Sequence, residues 1–317
     1  KDQAEKHKKS TRCVGEPYLF GTCLVCVCFK GFSSMRIFTD PNQVQNYCLR
    51  TGREQKIALV PTMGCFHAGH LSLISWAAEH SDLLVVSLFV NPAQFGPGED
   101  LDSYPRTLQR DRELAEKEGA DILFIPEEGL MYPPGYDTWV TVPGVSANLC
   151  GRSRPGHFKG VATVVLKLLH IVSPHVAVFG SKDWQQMAVI RRMVRDLNLP
   201  VEIEGRPIVR EEDGLAMSSR NSYLGPGERK QAAHIYSGLL RMRDRFKSGE
   251  RNSHALREEF CSYCRENIPD GEIDYCRIVD PQAITDLEYV QDCGLAAVAV
   301  RIGQARLIDN ILLGEQD

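Results

Sequence analysis

Two histidines three residues apart, His67 and His70, are the side chains of this sequence best placed to act on a phosphate group. They follow an apolar, strand-forming segment at 57–60 and a turn of small residues, and they precede apolar residues at helical spacing. Imidazoles at this spacing in the first turn of a helix face the same way. The start of a helix also attracts anions through its exposed N–H groups. The stretch therefore predicts a phosphate site, and the alternative is one structural histidine beside one surface histidine.

Two further clusters follow predicted strands and suit the same chemistry. After the strand at 175–180, Lys182 can bring a positive charge to phosphate, and Asp183 can either accept from sugar hydroxyls or cap the next helix. Asn91 and Gln94 follow an earlier strand, and their amides suit a hydroxylated substrate, although Asn-Pro is also a common turn sequence. Ligands of open α/β sheets bind beyond the carboxyl ends of the strands, so these side chains are candidates for one site.

Two polar loops complete the set of candidates. Residues 213–221 contain small residues, hydroxyls and the guanidinium of Arg220, which suits either a mobile clamp over phosphates or a plain surface turn. Residues 152–160 form a basic loop with glycine and proline, which either serves the same anionic pocket or shapes its rim. The sequence has neither a P-loop nor a dinucleotide-binding glycine motif, so separate loops would have to build a nucleotide site.

Strand-like and helical segments alternate from residue 35 onward, and this pattern indicates the fold class. Amphipathic helical segments separate the predicted strands, which lie at 57–60, 82–91, 121–126, 175–180 and 201–204. Such alternation predicts a doubly wound α/β domain with a parallel, Rossmann-like sheet over residues 35–206. Two predicted helices follow, at 227–248 and 253–267, then predicted strands at 273–279 and 295–302 and a final apolar segment at 307–313. That order predicts a smaller α+β domain over residues 207–317.

The charge and composition exclude several classes of protein. A formal net charge of −4 provides no positive field to attract nucleic acid or an anionic membrane, so we expect neither as a partner. Hydrophobic residues make up 43% and charged residues 25%, as in an ordinary globular protein. Eleven cysteines without framework spacing argue against a disulfide scaffold and favour a reducing, cytoplasmic compartment. The C-x-x-C of Cys261 and Cys264 has no second pair at zinc-finger spacing and favours ordinary thiols.

Residues 1–34 stay unassigned. The first 12 are basic and polar, and the apolar, cysteine-rich run at 18–32 is about 15 residues long, against the roughly 20 that a membrane-spanning helix needs. The two parts resemble the first regions of a signal peptide, but Glu5 and Glu16 dilute the positive charge and no A-x-A-like cleavage site follows. An unprocessed targeting remnant, a gene-model artefact and an added strand stay equally open.

Seven motifs carry a resemblance to a known family. They are PTMGCFHAGH, SLFVNPAQF, DLDSYPRTLQRD, SRPGHFKGVATVV, VFGSKDWQQ, DGLAMSSRN and RLIDN. In this order and spacing, from about residue 36 to residue 313, the chain resembles the pantothenate synthetases (pantoate–β-alanine ligases). The histidine pair corresponds to the HIGH-like signature of class I nucleotidyl-transfer enzymes, and residues 217–220 correspond to their KMSKS-like loop.

The resemblance implies an ATP-dependent condensation of pantoate with β-alanine through a pantoyl adenylate, with release of pyrophosphate and AMP. It implies a homodimer, Mg²⁺ that bridges the ATP phosphates, and no protein-held metal. It implies that His70 is a proton donor and that His67, Lys182 and Arg220 share the catalysis. The residues implied to bind ATP are Met63, Gly64, Cys65, Phe66, His67, Ala68, Gly69, His70, Gly180, Ser181, Lys182, Asp183, Val209, Met217, Ser218, Ser219 and Arg220.

The resemblance also implies that Gln94 contacts pantoate and β-alanine and that Gln186 contacts pantoate. Family members often carry a charged residue where Ser181 stands and a Tyr or Phe at Trp184, and we interpret both changes as tuning. The first alternative function is that of another HIGH-motif adenylyl- or cytidylyltransferase, which would leave a stable nucleotide-linked product. The second is a non-catalytic nucleotide-binding scaffold, which the intact histidines and Ser-Ser-Arg loop disfavour.

Overall fold

Parallel strands form the central sheet of the protein. The structure is a computed structural model and describes residues 34–314. The unassigned residues 1–33 lie outside this described part. The strands of the parallel sheet are β1 (Arg36–Phe38), β2 (Ile57–Thr62), β3 (Leu83–Leu88), β4 (Ile122–Phe124), β5 (Val176–Gly180) and β6 (Glu202–Arg206). A second, antiparallel sheet contains β7 (Gly271–Val279), β8 (Gly294–Ile302) and β9 (Ala305–Leu313).

Helices connect these strands, as the sequence predicts. Those before β6 are α1 (Pro41–Thr51), α2 (Ala68–Glu79), α3 (Leu108–Lys117), α4 (Glu128–Met131), α5 (Pro143–Ser146), α6 (Cys150–Ser153), α7 (His157–Val172) and α8 (Trp184–Asp196). Those after β6 are α9 (Pro226–Ala232), α10 (His234–Lys247) and α11 (Ser253–Asn267). Short 3₁₀ turns occur at Pro92–Gln94, Ser181–Asp183 and Ser219–Tyr223.

The order of the parallel strands creates a crevice at one point of the sheet. The order is β1-β4-β3-β2-β5-β6, so β2 lies between β3 and β5. From β2 the chain passes to β3 on one side, and it later returns to β5 on the other side. The connections that leave β2 and β5 therefore diverge, and ligands of doubly wound sheets bind at such a switch point. The predicted doubly wound, Rossmann-like fold is confirmed.

Burial on both faces explains why the central strands read as continuous apolar runs. Ile57 and Leu59 of β2 belong to one apolar cluster, whereas Ala58 and Val60 belong to another. Successive side chains of a strand point to opposite faces, so each strand supplies both clusters. The sheet that carries the crevice is thus fixed by packing on either side.

Several predicted boundaries differ from the structure, and two of the differences have a clear physical reason. β2 continues through Pro61 to Thr62, although we expected Pro61 to end it. Pairing with β5 stops at Leu59 while pairing with β3 continues, and a strand with one open side tolerates the missing N–H of proline. The helix predicted at 227–248 is divided into α9 and α10 by Ala233, whose φ of −61° and ψ of −27° stay helical, so the helical periodicity continues across the break.

The antiparallel sheet and its helices follow β6, as the predicted α+β order requires. Residues Val279, Ile284, Leu295 and Ala297 from this part join the apolar cluster on one face of the parallel sheet. The domain boundary near residue 206 stays a prediction. Among residues 34–314, no helix is long and apolar enough to cross a lipid bilayer.

Candidate active site

A buried carboxylate, which the sequence analysis did not assign to the site, holds the turn after β2. Gly64 and Cys65 have positive φ values of 87° and 54°, which bend the chain sharply between β2 and α2. Asp111 on α3 is 1% exposed and accepts hydrogen bonds from the N–H groups of Cys65 at 2.8 Å and Phe66 at 2.7 Å. These two N–H groups are therefore occupied, and the expectation of exposed backbone donors in this turn is wrong for them.

His67 and His70 interlock at the start of α2. The Nδ1 of His67 accepts the N–H of Gly69 at 3.1 Å, and the Nδ1 of His70 accepts the N–H of His67 at 3.4 Å. Their ring centroids are 4.1 Å apart. Because each Nδ1 acts as an acceptor, each neutral ring carries its proton on Nε2. Neither Nε2 has a hydrogen-bond partner within residues 34–314, so both Nε2–H groups can donate to a ligand.

Both imidazoles are neutral at physiological pH. Burial lowers the pKa of His67 to about 4, and the charge of Lys182 adds to the effect. Burial likewise lowers the pKa of His70 to about 3, with His67 and Lys182 as further causes. The rings therefore act as uncharged hydrogen-bond donors. Proton transfer from either ring requires a bound anion to raise its pKa first.

Lys182 and Asp183 lie across the crevice, in the 3₁₀ turn after β5. The Nζ of Lys182 is 3.2 Å from Oδ2 of Asp183. The charge of Lys182 is close enough to lower the pKa of both His67 and His70. The turns after β2 and β5, the strands on either side of the switch point, thus bring two imidazoles and a cation to one crevice.

Gln94 is buried near the same turn, and its amide is poorly satisfied. Its Nε2 lies 2.7 Å from the sulfur of Met63, a weak acceptor, and its Oε1 accepts from Asn91 at 3.2 Å. The Asn91 amide is used inside the protein, because Nδ2 also donates to Gly160 O at 3.2 Å and Oδ1 accepts from Tyr132 at 2.8 Å. Of these two amides, that of Gln94 is the one suited to a ligand.

The basic loop at 152–160 shapes the wall beside Gln94. His157 Nδ1 lies 2.8 Å from the carbonyl oxygen of Gln94, and Arg154 is within 3.2 Å of His157 Nε2. Burial, with Arg154 as a further cause, lowers the pKa of His157 to about 4. Arg154 also donates to Glu99 at 2.7 Å and lowers the pKa of that carboxyl to about 2. The charge of Arg154 is therefore already neutralised in the structure.

A tight hairpin over residues 209–217 lies against the start of α2. The Met217 N–H donates to the Val209 carbonyl at 3.0 Å, and Arg210 pairs with Ala216. A Cβ built on Gly69 would lie 3.9 Å from the Cβ of Met217. Met217, the first residue of the predicted KMSKS-like loop, therefore lies close to Gly69, which stands between the two histidines.

Arg220, which follows the hairpin, is held by an acid. Asp100 accepts from its Nε at 3.0 Å and from its Nη2 at 2.9 Å. Nearby, Ser219 Oγ is 3.3 Å from the hydroxyl of Tyr104. This bidentate pair keeps Arg220 at the site and neutralises it, so a phosphate group must share or replace the Asp100 carboxylate to bind Arg220.

A cavity of about 440 Å³ lies beside these loops. The predicted site residues in its wall are Lys182, Asp183, Gln186, Ser218 and Arg220. The remaining predicted residues, including His67, His70 and Gln94, are not part of that wall. The histidines belong to the adjoining crevice, next to Lys182.

Two adjacent glutamines on α8 have different surroundings. Gln185 is buried, and its Oε1 accepts the N–H of Cys150 at 3.0 Å. Its Nε2 donates to the carbonyls of Val145 at 3.0 Å and Asn148 at 2.7 Å. Gln186 is half-buried in the cavity wall, and its side chain makes no hydrogen bond within residues 34–314. Within residues 34–314, Gln186 therefore lines the cavity with an amide that no protein group occupies.

Three acids near the site, Glu99, Asp100 and Asp111, are residues that sequence reasoning did not assign to it. Asp111 carried a local signal, because it stands four positions before Ala115 on the buried face of α3, where an acid needs partners. Glu99 carried no signal, and Asp100 carried none beyond its place in the motif DLDSYPRTLQRD. Their arginine partners lie 55 and 120 positions away in the sequence, and only the fold brings them together.

Similarity to known proteins covers nearly all of the described residues. A sequence model of the pantoate-beta-alanine ligase family matches residues 36–312. The pantothenate synthetase of Oleidesulfovibrio alaskensis is 56% identical over 281 residues, which are 88% of this chain and 100% of that protein. The pantothenate synthetase of Syntrophotalea carbinolica is 51% identical over 286 residues, which are 89% of this chain and 100% of that protein.

Solved structures extend the similarity to the fold. The crystal structure of pantothenate synthetase from Thermus thermophilus matches with a TM-score of 0.83 at 45% identity, covering 87% of this chain and 99% of that one. The pantoate-beta-alanine ligase from Francisella tularensis, complexed with beta-gamma ATP and beta-alanine, matches with a TM-score of 0.73 at 33% identity. That match covers 90% of this chain and 99% of the other.

Proposed function

The chain belongs to the pantoate–β-alanine ligase family, and from that premise we propose that it joins pantoate to β-alanine in two steps that use ATP. In the first step the pantoate carboxylate attacks the α-phosphorus of ATP, and pyrophosphate leaves. In the second step the β-alanine amine attacks the acyl carbon of the pantoyl adenylate, which gives pantothenate and AMP. The Francisella tularensis ligase, complexed with beta-gamma ATP and beta-alanine, supports ATP and β-alanine as substrates.

The observation that carries this proposal is the convergence of three loops at one crevice. The histidine turn after β2, the Lys182 turn after β5 and the hairpin before Arg220 lie next to each other and beside the cavity. Cations and N–H donors on several sides of a crevice suit a triphosphate whose α-phosphorus must stay open to attack. Adenylate formation depends on such positioning and charge neutralisation more than on covalent help from the protein.

His67 and His70 act in this proposal as neutral donors. Their Nε2–H groups hydrogen-bond to α-phosphate oxygens, where negative charge increases as the carboxylate attacks. The hydrogen bond from the Nε2–H of His70 strengthens as negative charge increases on the phosphate oxygen in the transition state, while the ring stays neutral. His70 is the proton donor of the reaction in this sense.

Lys182 and Arg220 neutralise the phosphates. Lys182 is a flexible point charge at the switch point, whereas Arg220 offers a planar fork that exchanges the Asp100 carboxylate for phosphate oxygens. Asp183 accepts from ribose hydroxyls. Further contacts to ATP are proposed for Met63, Gly64, Cys65, Phe66, Ala68, Gly69, Gly180, Ser181, Val209, Met217, Ser218 and Ser219.

Gln94 and Gln186 bind pantoate. The Gln94 amide is buried with only a thioether for its N–H group, and a pantoate oxygen is a better acceptor than sulfur. Gln186 lines the cavity with an unbonded amide. Gln94 also lies close to β-alanine in the second step, because the amine must reach the same acyl carbon that these amides hold.

Magnesium enters with ATP. Within residues 34–314 no group of three or more histidine, cysteine or acidic side chains is placed to hold a metal ion. Mg²⁺ prefers phosphate oxygens, water and one or two carboxylates, so the substrate phosphates suit it as main ligands. The ion would neutralise charge on the leaving pyrophosphate.

A cytoplasmic homodimer is proposed as the working form. The cysteines within residues 34–314 are free thiols, which suits a reducing compartment. The dimer rests on the family resemblance, and light scattering on purified protein tests it. We also propose that the chain divides into two domains at residue 206, where β6 ends and the α+β part begins.

An assay of products tests the function. We expect the protein, given ATP, Mg²⁺, pantoate and β-alanine, to form AMP, pyrophosphate and pantothenate in equal amounts. Omission of β-alanine should stop turnover after one adenylate per site. Formation of ADP and phosphate, or of a stable nucleotide-linked product independent of β-alanine, would reject the proposal and favour a nucleotidyltransferase.

A further inference from the structure

The RLIDN motif near the end of the chain places two polar side chains where an apolar strand would be expected. Asp309 is 4% and Asn310 is 6% exposed on β9. Buried polar groups are unfavourable unless they are hydrogen-bonded, so their partners indicate what they do. Neighbouring residues of a strand point to opposite sides, and these two reach two different loops.

Asn310 reaches the turn after β5. Its Nδ2 donates to the carbonyl oxygens of Ser181 at 3.0 Å and Lys182 at 2.9 Å. One NH₂ group thus uses both of its hydrogens on consecutive carbonyls of the 3₁₀ turn. These contacts fix the backbone from which the Lys182 side chain extends toward the phosphate site.

Asp309 reaches the base of the hairpin at 209–217. It accepts from Arg210 Nη1 at 2.7 Å and Nη2 at 3.0 Å. Arg210 also donates to the carbonyl of Gly214 at 3.1 Å, and its guanidinium lies 3.6 Å from the ring centroid of Tyr236. Arg210 is therefore held rigidly, and it belongs to the hairpin that leads directly to Arg220.

We infer that Asp309 and Asn310 form a positioning pair, which sets the Lys182 turn and the Arg220 hairpin at a fixed spacing through adjacent residues of one strand. The inference rests on the proposed function in assigning both loops to the ATP phosphates. Asn310 acts through Lys182, and Asp309 acts through Arg210 on Arg220. Neither side chain needs to touch substrate for this role.

Hydrogen exchange in the absence of substrate tests the positioning directly. Asn310→Ala should speed amide exchange at residues 180–186 by about tenfold or more and leave residues 209–220 unchanged, because two hydrogen bonds to that turn are lost. Asp309→Asn should speed amide exchange at residues 209–220 and leave residues 180–186 unchanged. Exchange that stays at the wild-type rate in both segments, or rises equally in both segments for each variant, would overturn the inference.

Kinetics test the link to ATP. Asn310→Ala should lower kcat by about 10- to 100-fold through misplacement of Lys182, with an unchanged KM for pantoate. In a Lys182→Ala background it should cause little further loss, whereas in an Arg220→Ala background its effect should be retained. Asp309→Asn should cause little further loss of kcat in the Arg220→Ala background, and its effect should be retained in the Lys182→Ala background. Full additivity of both variants in both backgrounds would overturn the inference.

A matched control separates positioning from general destabilisation. Asn148 also donates its Nδ2 to a distant carbonyl, that of Ile284 at 2.9 Å, and its side chain makes no hydrogen bond to either loop among residues 34–314. Asn148→Ala should lower stability, by less than Asn310→Ala because one hydrogen bond is lost instead of two, and it should leave kcat unchanged. A loss of kcat equal to that of Asn310→Ala would count against the positioning role. The two experiments can also disagree. If the variants show the predicted exchange pattern but the wild-type protein forms no AMP, the proposed function is rejected and the positioning role is still supported.

Discussion

Removal of the Asp111 carboxylate should loosen the turn that carries both histidines. Asp111 accepts from the N–H groups of Cys65 and Phe66 and from the Thr107 hydroxyl at 3.1 Å. In Asp111→Ala the hydroxyl can turn to another partner, but the two N–H groups cannot. An unmade hydrogen bond of a buried donor costs about 1–3 kcal/mol, so the loss of two should lower the free energy of unfolding by about 2–6 kcal/mol.

The variant should still fold, and this makes the prediction measurable. A domain is stable by about 5–15 kcal/mol, which exceeds the expected loss in most of this range. Urea unfolding followed by circular dichroism gives the free energy of unfolding, and the product assay gives kcat. We expect kcat to fall at least tenfold, because the positive φ values at Gly64 and Cys65 are no longer held.

Two further variants sharpen this test. Asp111→Asn keeps one acceptor oxygen and should lose less stability than Asp111→Ala. Asp40, at the start of α1, accepts the Asn42 N–H at 2.8 Å in an exposed position, so Asp40→Ala should cost about 1 kcal/mol and leave kcat unchanged. A loss below about 1 kcal/mol in Asp111→Ala, with kcat retained, would refute the reasoning.

Three other predictions concern the site itself. His70→Ala should lower the rate of adenylate formation by about 10²–10³-fold with the fold unchanged, and near-wild-type turnover would reject its role. Gln94→Ala and Gln186→Ala should raise the KM for pantoate, whereas Gln185→Ala should lower the urea midpoint instead; an unaltered pantoate requirement in the first two would contradict the assignment. Stability should fall as pH drops from 6.5 to 4.5, because His67 and His70 stay neutral when folded and take up protons when unfolded. In His70→Ala this fall should be smaller by roughly 2–3 kcal/mol, as measured by urea unfolding at both pH values, and an equal fall would contradict the lowered pKa.

Local patterns predicted the elements of the fold well. The apolar run at 57–60, the small-residue turn and the helical spacing after it gave β2, its turn and α2, and they gave the face that His67 and His70 share. The boundary at Pro61 was wrong, because whether a proline ends a strand depends on which neighbouring strands are paired there. That information is not local to the sequence.

Long-range contacts could not be predicted from the sequence. The strand order, which creates the crevice between β2 and β5, depends on packing across the whole sheet. The same holds for Asp111, which occupies N–H groups that the turn alone would leave free, and for Asp100, which pairs with Arg220. Strand ends indicated where chemistry would occur, but not which partners the charged groups already had.

The fate of the pantoate carboxylate oxygen tests the adenylate route most directly. With pantoate labelled with ¹⁸O in its carboxylate, attack on the α-phosphorus leaves a labelled bridging oxygen on phosphorus when the β-alanine amine displaces AMP. We therefore predict one ¹⁸O atom in each AMP molecule, as read by mass spectrometry, and none in pyrophosphate. AMP without the label, or label in inorganic phosphate released together with ADP, would contradict the account.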